Sequence, residues 1–234
     1  MKNVYRKLLF KKRKWCIEKI AINDKNNAKM LFSFECCYCK NKKGANMNSD
    51  KIFVGLAGMP GSGKSVVVKT AQQQGYDVVV MGDVIREETQ KRGLKPTPKN
   101  IGKVMLELRE KGGNSIIADK CIPKIEQQKS GKVIVDGVRS LSEADAFKKR
   151  FPKFSLIAVH ASSEARFKRL YRRRRSDDPD GWELFHERDM RELSVGLGNA
   201  IVMAEHLIIN ENNKDATKAK AKKIFRRIER KWKR

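Results

Sequence analysis

The sequence predicts a three-layer α/β fold, with a five-stranded parallel sheet and helices on both of its faces. From Lys51 onward, short apolar runs alternate with longer amphipathic stretches, as in repeated strand–helix–strand units. The 234 residues are 40% hydrophobic and include 16 glycines, which is enough apolar material for one core of this kind. No run approaches the roughly 18 apolar residues that a membrane span requires, and no signal peptide is visible. We therefore expect a cytoplasmic protein without a membrane partner.

Five apolar runs are the candidate strands of the sheet. They cover residues 52–57, 77–81, 132–135, 154–160 and 206–209. A helix is predicted over residues 64–74, where Gly75 would end it as a C-cap. Thr97 and Pro98 have the residue types of an N-cap and a first-turn proline, so another helix should begin there.

The net charge of +26 is concentrated at the two ends of the chain. Residues 1–46 carry +10 and residues 214–234 carry +9, which leaves +7 for the body. A moderately basic body suits a protein that handles polyphosphates, and nucleic-acid binding through the tails is the less favoured alternative. We expect a basic N-terminal extension over 1–48, an α/β domain over 49–213 and a basic C-terminal helix or tail over 214–234.

The cysteines set the N-terminal extension apart from the body. Four of the five lie in it and one lies in the body, namely Cys16, Cys36, Cys37, Cys39 and Cys121. An odd count without a secretory signal does not indicate a disulfide framework, and the cluster lacks the paired spacing of a zinc site. Because Met47 precedes the first predicted strand and would serve as a start, we expect the extension to be flexible or not translated.

The strongest chemical signal is the sequence GMPGSGKS between the first predicted strand and the first predicted helix. This is the Walker A pattern in its required context, and a simple tight turn would need neither Lys64 nor Ser65. Glycines let backbone N–H groups face the phosphates, while Lys64 reaches the β- and γ-phosphates and the Ser65 hydroxyl binds Mg²⁺. The pattern predicts a P-loop NTPase that uses ATP and Mg²⁺. The binding residues are Gly58, Met59, Pro60, Gly61, Ser62, Gly63, Lys64 and Ser65.

A second signal is VIVDGVRS, an apolar strand that ends at Asp136. In P-loop proteins a carboxylate at this strand end holds the Mg²⁺ shell, so Ser65 and Asp136 are the candidate metal ligands. Arg139 follows at the carboxyl edge of the strand, where α/β sheets bind ligands. A surface residue at a helix start is the alternative for Arg139.

Two further segments carry candidate site residues. In MGDVIREE, Asp83 and Arg86 are three residues apart and would face one crevice if a helix begins there. The alternative is an N-cap aspartate with a solvated arginine. The segment RLYRRRRSDDP lies between the fourth and fifth strands and predicts a short Arg-rich lid, although a charge run is more commonly a solvated face or a nucleic-acid patch.

Together these motifs resemble one family. GMPGSGKS, GDVIR, DGVR and RSDD are similar to motifs of the nucleoside monophosphate kinase-like branch of P-loop kinases. Residues 50–213 most closely resemble an archaeal family of dephospho-CoA kinase-like, adenylate-kinase-related proteins. The resemblance implies that Arg86 and Arg139 hold the acceptor phosphate, but the family's DGFPR motif has a proline that this chain lacks, which leaves the register of Arg139 open by one residue. The lid cations that it implies are Arg175, Arg172 and Arg188.

The reaction implied is in-line transfer of the γ-phosphoryl group of MgATP to a small nucleotide-like acceptor. The absence of a guanine-specific NKxD element favours ATP over GTP. A nucleoside monophosphate acceptor needs arginines, whereas a hydroxyl acceptor such as dephospho-CoA benefits from a carboxylate base. The arginines favour the monophosphate slightly, and a regulatory or RNA-associated P-loop NTPase is the other hypothesis. Nothing in the sequence predicts an oligomeric state. The candidate catalytic residues are Lys64, Asp83, Arg139 and Arg175, and the candidate acceptor-binding residues are Asp83, Arg86, Arg139 and Arg188.

Overall fold

A computed structural model describes residues 4–11, 14–21, 50–174, 178–211 and 213–233, and it divides the chain into two units, Met1–Met47 and Asn48–Arg234. In the first unit, β1 (Val4–Lys11) and β2 (Lys14–Ala21) pair as an antiparallel hairpin, with Val4 opposite Ala21. The sequence had indicated no strand there. Cys16 lies on β2, whereas the cluster at positions 36–39 lies outside the described residues. That the extension is flexible or untranslated stays a prediction.

Five parallel strands form the sheet of the second unit. Their spatial order is β4 (Asp77–Val80), β5 (Lys132–Val138), β3 (Ile52–Ala57), β6 (Phe154–His160) and β7 (His206–Ile209). Every neighbouring pair in this order is parallel, so the predicted five-stranded parallel sheet is confirmed. All six residues of the central strand β3 are buried, as expected for a strand covered on both faces.

Helices cover both faces of this sheet. In the described residues they are α1 (Lys64–Gln72), α2 (Met81–Lys91), α3 (Pro98–Gly112), α4 (Ile116–Glu126), α5 (Leu141–Arg150), α6 (Ser163–Arg173), α7 (Trp182–Ser194), α8 (Leu197–Val202) and α9 (Lys214–Trp232). None of these helices is long and apolar enough to cross a membrane.

Two separate hydrophobic cores lie on the two faces of the sheet. On one face, α2, α3, α4, α5 and α8 pack around Phe53, whose ring stacks on Phe151 with the centroids 3.9 Å apart. On the other face, α1 and α9 pack around Tyr76 and Phe225, whose ring centroids are 5.0 Å apart. This arrangement confirms the three-layer fold. The C-terminal segment therefore forms a helix that contributes to the second core.

Several element ends agree with the sequence-based prediction, and three differ. The helix α1 ends at Gln72, two residues before its predicted end, and its C-cap is Gln73 and not Gly75. The Thr97 hydroxyl accepts a hydrogen bond from the Asn100 backbone N–H at 3.3 Å, as an N-cap does. The strand β4 ends at Val80 and α2 begins at the next residue, so the predicted strand was one residue too long. The strand β5 runs three residues further than predicted, because Gly137, with φ of 105°, forms a bulge between the partners of Leu56 and Ala57.

Candidate active site

The loop of residues 58–63 connects the central strand β3 to α1. Gly63 lies just before the helix with φ of 97°, and a Cβ atom there would be 2.0 Å from the Asn210 side-chain nitrogen. That nitrogen donates a hydrogen bond to the Ser62 carbonyl oxygen at 2.8 Å. Gly63 is therefore required both for the backbone turn and for the close approach of Asn210. The observed strand–loop–helix context is the one that the Walker A pattern requires.

Lys64 holds the inside of this loop together. Its ammonium group donates to the carbonyl oxygens of Gly58 at 2.6 Å and Met59 at 3.3 Å. Burial lowers the pKa of Lys64, and the negative charge of Asp136 opposes that shift. The ammonium group is thus buried within the loop and interacts electrostatically with the Asp136 carboxylate on β5.

Asp136 is a candidate cation ligand, because one of its carboxylate oxygens has no hydrogen-bond partner among the described residues. Its Oδ1 atom is buried without a hydrogen-bond partner. Burial raises the pKa of Asp136, while the charges of Lys64 and Arg139 lower it. Ser65 lines the same cleft. A carboxylate and a hydroxyl oxygen fit Mg²⁺, which typically takes one or two protein ligands and completes its shell with phosphate oxygens and water.

The cleft at this edge of the sheet has a volume of about 760 Å³ and brings together most of the predicted site residues. Those that line it are Gly58, Pro60, Gly61, Gly63, Lys64, Ser65, Arg86, Asp136, Arg139, Arg172 and Arg188. Met59 and Ser62 also belong to the loop but are buried and do not line the cleft. Asp83 does not line the cleft, and Arg175 lies outside the described residues.

Two arginines on the side of the cleft next to α2 form ion pairs with neighbouring carboxylates. Arg86 forms an ion pair with Asp83, one turn earlier on α2, and both side chains are about half exposed. The Arg139 Nε atom is 3.0 Å from a carboxylate oxygen of Glu192 on α7. The Arg139 backbone N–H donates to Glu143 at 2.7 Å. Arg139 is therefore held both from the start of α5 and from α7.

A buried ion pair between Glu143 and Arg109 supports the position of Arg139, and it was not predicted from the sequence. Glu143 is fully buried and accepts from Arg109 on α3 at 2.8 Å. Its backbone N–H donates to the Ser140 hydroxyl at 3.2 Å, which makes Ser140 the N-cap of α5. A serine followed three residues later by a glutamate is a sequence sign of a helix N-terminus, so the cap could have been predicted. The pairing of Glu143 with Arg109, 34 residues away, has no such local signal.

The Arg-rich helix α6 contacts the loop of residues 58–63, which we call the phosphate loop, through two residues one turn apart. Arg166 is buried and forms a bidentate ion pair with Asp189 on α7, with N–O distances of 2.8 and 2.5 Å. It also donates to the Pro60 carbonyl oxygen at 3.3 Å. Arg169 donates to the carbonyl oxygens of Asn210 at 2.7 Å and Gly61 at 3.4 Å. These contacts fix α6 and the loop relative to each other.

The outer part of α6 continues into the segment predicted to be a lid. Arg173 donates to Asp178 at 2.8 Å, and Arg188 on α7 lies 3.7 Å from the same carboxylate. Arg172 is exposed, lines the cleft and forms no ion pair within the described part of the chain. The described part of the predicted Arg-rich segment therefore borders the cleft through Arg172 and Arg173, and Asp178 links α6 to α7.

Asn210 is a further site residue that the sequence did not reveal. It follows β7, and its side-chain oxygen accepts from the Thr217 hydroxyl at 2.8 Å while its nitrogen binds the loop. One buried amide thus connects the phosphate loop to the start of α9. Arg169 and Arg173, which belong to the predicted Arg-rich segment but were not named individually, also line the cleft, as do Glu192 and Lys214.

Comparisons with known proteins identify the family of the chain. Residues 57–185, more than half of the chain, match the family model described as an AAA domain. A UPF0200 protein of Hyperthermus butylicus is 43% identical over 178 residues, which cover 76% of this chain and 95% of that protein. A UPF0200 protein of Methanocaldococcus jannaschii is 46% identical over 164 residues, which cover 69% of this chain and 83% of that protein.

Solved structures show the same fold at low sequence identity. A shikimate kinase from Acinetobacter baumannii, in complex with shikimate, is 18% identical with a TM-score of 0.52, over 77% of this chain and 94% of that one. A shikimate kinase from Bacteroides thetaiotaomicron is 15% identical with a TM-score of 0.53, over 76% of this chain and 98% of that one. With the identity and coverage of the relatives, these findings establish that the chain belongs to the UPF0200 family and contains an AAA domain with a P-loop kinase fold.

Proposed function

We propose that this chain is a kinase that transfers the γ-phosphoryl group of MgATP to a small phosphorylated acceptor, with a nucleoside monophosphate as the preferred class. The observation that carries the proposal is the lining of a single cleft. There the phosphate-loop lysine, a carboxylate with an unpartnered buried oxygen, and arginines from several elements meet at the carboxyl edge of the sheet.

At the donor end, the loop and the first turn of α1 bind the polyphosphate of ATP. Backbone N–H groups of the loop face the phosphates, and the Lys64 ammonium group exchanges its carbonyl partners for phosphate oxygens. Ser65 and Asp136 would hold Mg²⁺, which supplies charge neutralisation on the phosphate oxygens. The protein needs no covalent step, because positioning and electrostatic stabilisation account for this type of catalysis.

At the acceptor end, Arg86 and Arg139 bind the phosphate of the acceptor. The two residues come from α2 and from the end of β5, and both line the cleft together with Val80 and Val138. Guanidinium groups bind phosphate in a bidentate manner, so they also orient the attacking oxygen toward the γ-phosphate. Arg172 and Arg188, with Arg175 as predicted from the sequence, would add positive charge from the lid.

The charge balance of the cleft supports an anionic acceptor. Eight lysine and arginine residues line it in the described part of the chain, against the two carboxylates of Asp136 and Glu192. Two phosphate-bearing substrates would be attracted by this excess of positive charge. Asp83, the candidate base for a hydroxyl acceptor, instead pairs with Arg86 and does not line the cleft. This arrangement supports a nucleoside monophosphate over the dephospho-CoA-like alternative.

An acceptor panel tests the proposal. ATP consumption is measured with each nucleoside monophosphate, with dephospho-CoA, with shikimate and with RNA, and Lys64→Ala serves as the inactive control. We expect turnover above background with one or more nucleoside monophosphates. Turnover with dephospho-CoA alone would contradict the preferred acceptor class. Stimulation by RNA without any small acceptor would instead support an RNA-associated NTPase.

A further inference from the structure

The outer face of α9 carries a stripe of four cations, which we call the α9 stripe. Lys222, Lys223, Arg226 and Arg230 recur at helical spacing and line an open groove of about 360 Å³ together with Ala219. All four side chains are exposed, and none forms an ion pair with another described residue. The stripe is separate from the nucleotide cleft, since none of its residues lines that cleft.

The opposite face of α9 fixes the direction in which the stripe points. Ala221, Phe225 and Ile228 are fully buried in the second core. The Trp232 indole N–H also donates to the Ser155 hydroxyl at 3.2 Å. The helix is therefore packed against the sheet along its length, and the four cations face outward from a firm support.

The carboxylates close to α9 are already paired with lysines outside the stripe. Within the helix, Asp215 pairs with Lys218 at 2.9 Å and Glu229 pairs with Lys132 of β5 at 3.0 Å. Glu205 pairs with Lys231 at 2.8 Å. Like charges one turn apart repel each other, so the stripe destabilises the isolated helix unless an anion covers it.

We propose that the α9 stripe binds the phosphate backbone of a nucleic acid. From Lys222 to Arg230 it extends over ~12 Å of helix, a length that spans successive phosphates of one strand. A helix that lies on a membrane surface needs large apolar side chains beside its cations, whereas the groove contains only Ala219. No aromatic side chain lines the groove for base stacking, so the binding is independent of base sequence.

The experiment measures binding of a fluorescent, mixed-sequence 20-nucleotide RNA to the full chain over a range of salt concentrations. The test variant carries Lys222→Gln, Lys223→Gln, Arg226→Gln and Arg230→Gln. We expect weaker binding at low salt, and a slope of log K against log [salt] that is smaller in magnitude by about 3, since each lost contact to single-stranded phosphate contributes about 0.7.

A matched control removes the same charge elsewhere on the surface. It carries Lys95→Gln, Lys99→Gln, Lys148→Gln and Lys149→Gln, which are exposed positions outside α9. We expect this control to keep the salt slope of the unmodified chain. Both variants are also tested for binding to anionic phosphatidylserine vesicles. Equal salt slopes for RNA binding by the two variants would overturn the proposal. It would also be overturned if the stripe variant bound RNA normally and lost binding only to the vesicles. Circular dichroism of both variants checks that they fold, so that a loss of binding can be distinguished from a loss of structure.

Discussion

At the scale of single residues, the position of Lys64 predicts the effect of removing it. Its ammonium group contacts two backbone carbonyl oxygens of the loop, and its side chain belongs to neither hydrophobic core, so Lys64→Ala should leave the fold intact. Loss of a group that stabilises the transferring phosphates should lower kcat by about 10²-fold or more. Steady-state ATP turnover and thermal unfolding measure the two effects. Lys69→Ala, at an exposed position of α1, is the control and should behave as the unmodified chain.

A second prediction at this scale compares substitutions of Arg86 and Asp83, which should have opposite effects for the two acceptor classes. For a monophosphate acceptor, Arg86→Ala removes a charged hydrogen bond worth about 1.5–3 kcal/mol, so transfer should weaken roughly tenfold to a hundredfold, mainly through the KM of the acceptor. Asp83→Asn should be milder, because no hydroxyl proton has to be removed. Values of kcat and KM for both variants decide between the classes. A hundredfold loss of kcat in Asp83→Asn alone would indicate a hydroxyl acceptor.

The sequence predicted those site residues whose chemistry is local to a motif. Lys64, Ser65 and Asp136 each stand at a fixed place relative to a predicted strand, and the structure places all three at one cleft. Arg169 and Asn210 could not be found in this way. Their partners are backbone carbonyl oxygens of the loop, which are distant in sequence and carry no side-chain signature.

At the scale of elements, the Arg166–Asp189 ion pair joins α6, α7 and the phosphate loop. Only 5% of the Arg166 side chain and 11% of the Asp189 side chain are exposed. Asp189→Ala leaves a buried guanidinium without its partner, so we expect a loss of about 3–5 kcal/mol in the free energy of unfolding. Urea denaturation at neutral pH measures this change.

The surface pair between Glu164 and Lys168 on the same helix is the matched control for that measurement. Both of its side chains are largely exposed, so Glu164→Ala should not change the free energy of unfolding measurably. If Asp189→Ala were as stable as Glu164→Ala, the ion pair would not hold α6, α7 and the loop together.

Element boundaries followed from sequence wherever the local signal was strong. The strands over 52–57, 154–160 and 206–209 have the predicted ends, since each is a compact apolar run that begins directly after a charged residue. The extension of β5 was not predictable. It depends on the bulge at Gly137, which only the register against β3 reveals, and the bulge determines where Val138 and Arg139 face.

At the scale of the whole molecule, the division into two units predicts how removal of the N-terminal extension affects stability and activity. Both hydrophobic cores lie in the unit Asn48–Arg234. A chain that begins at Met47 should therefore keep its melting temperature within about a degree and retain its activity. Differential scanning calorimetry of both chains measures this. A large loss of stability, or stoichiometric zinc in the purified full chain, would show instead that the extension is a folded domain.

The central claim is that the cleft transfers phosphoryl groups between two bound phosphate compounds. The most direct measurement follows the label of [γ-³²P]ATP in the presence of the best acceptor from the panel. We expect the label to appear on the acceptor at the rate of ADP formation. In both Lys64→Ala and Arg139→Ala, the acceptor should remain unlabelled. Release of the label only as inorganic phosphate, at a rate that no acceptor changes, would contradict the account.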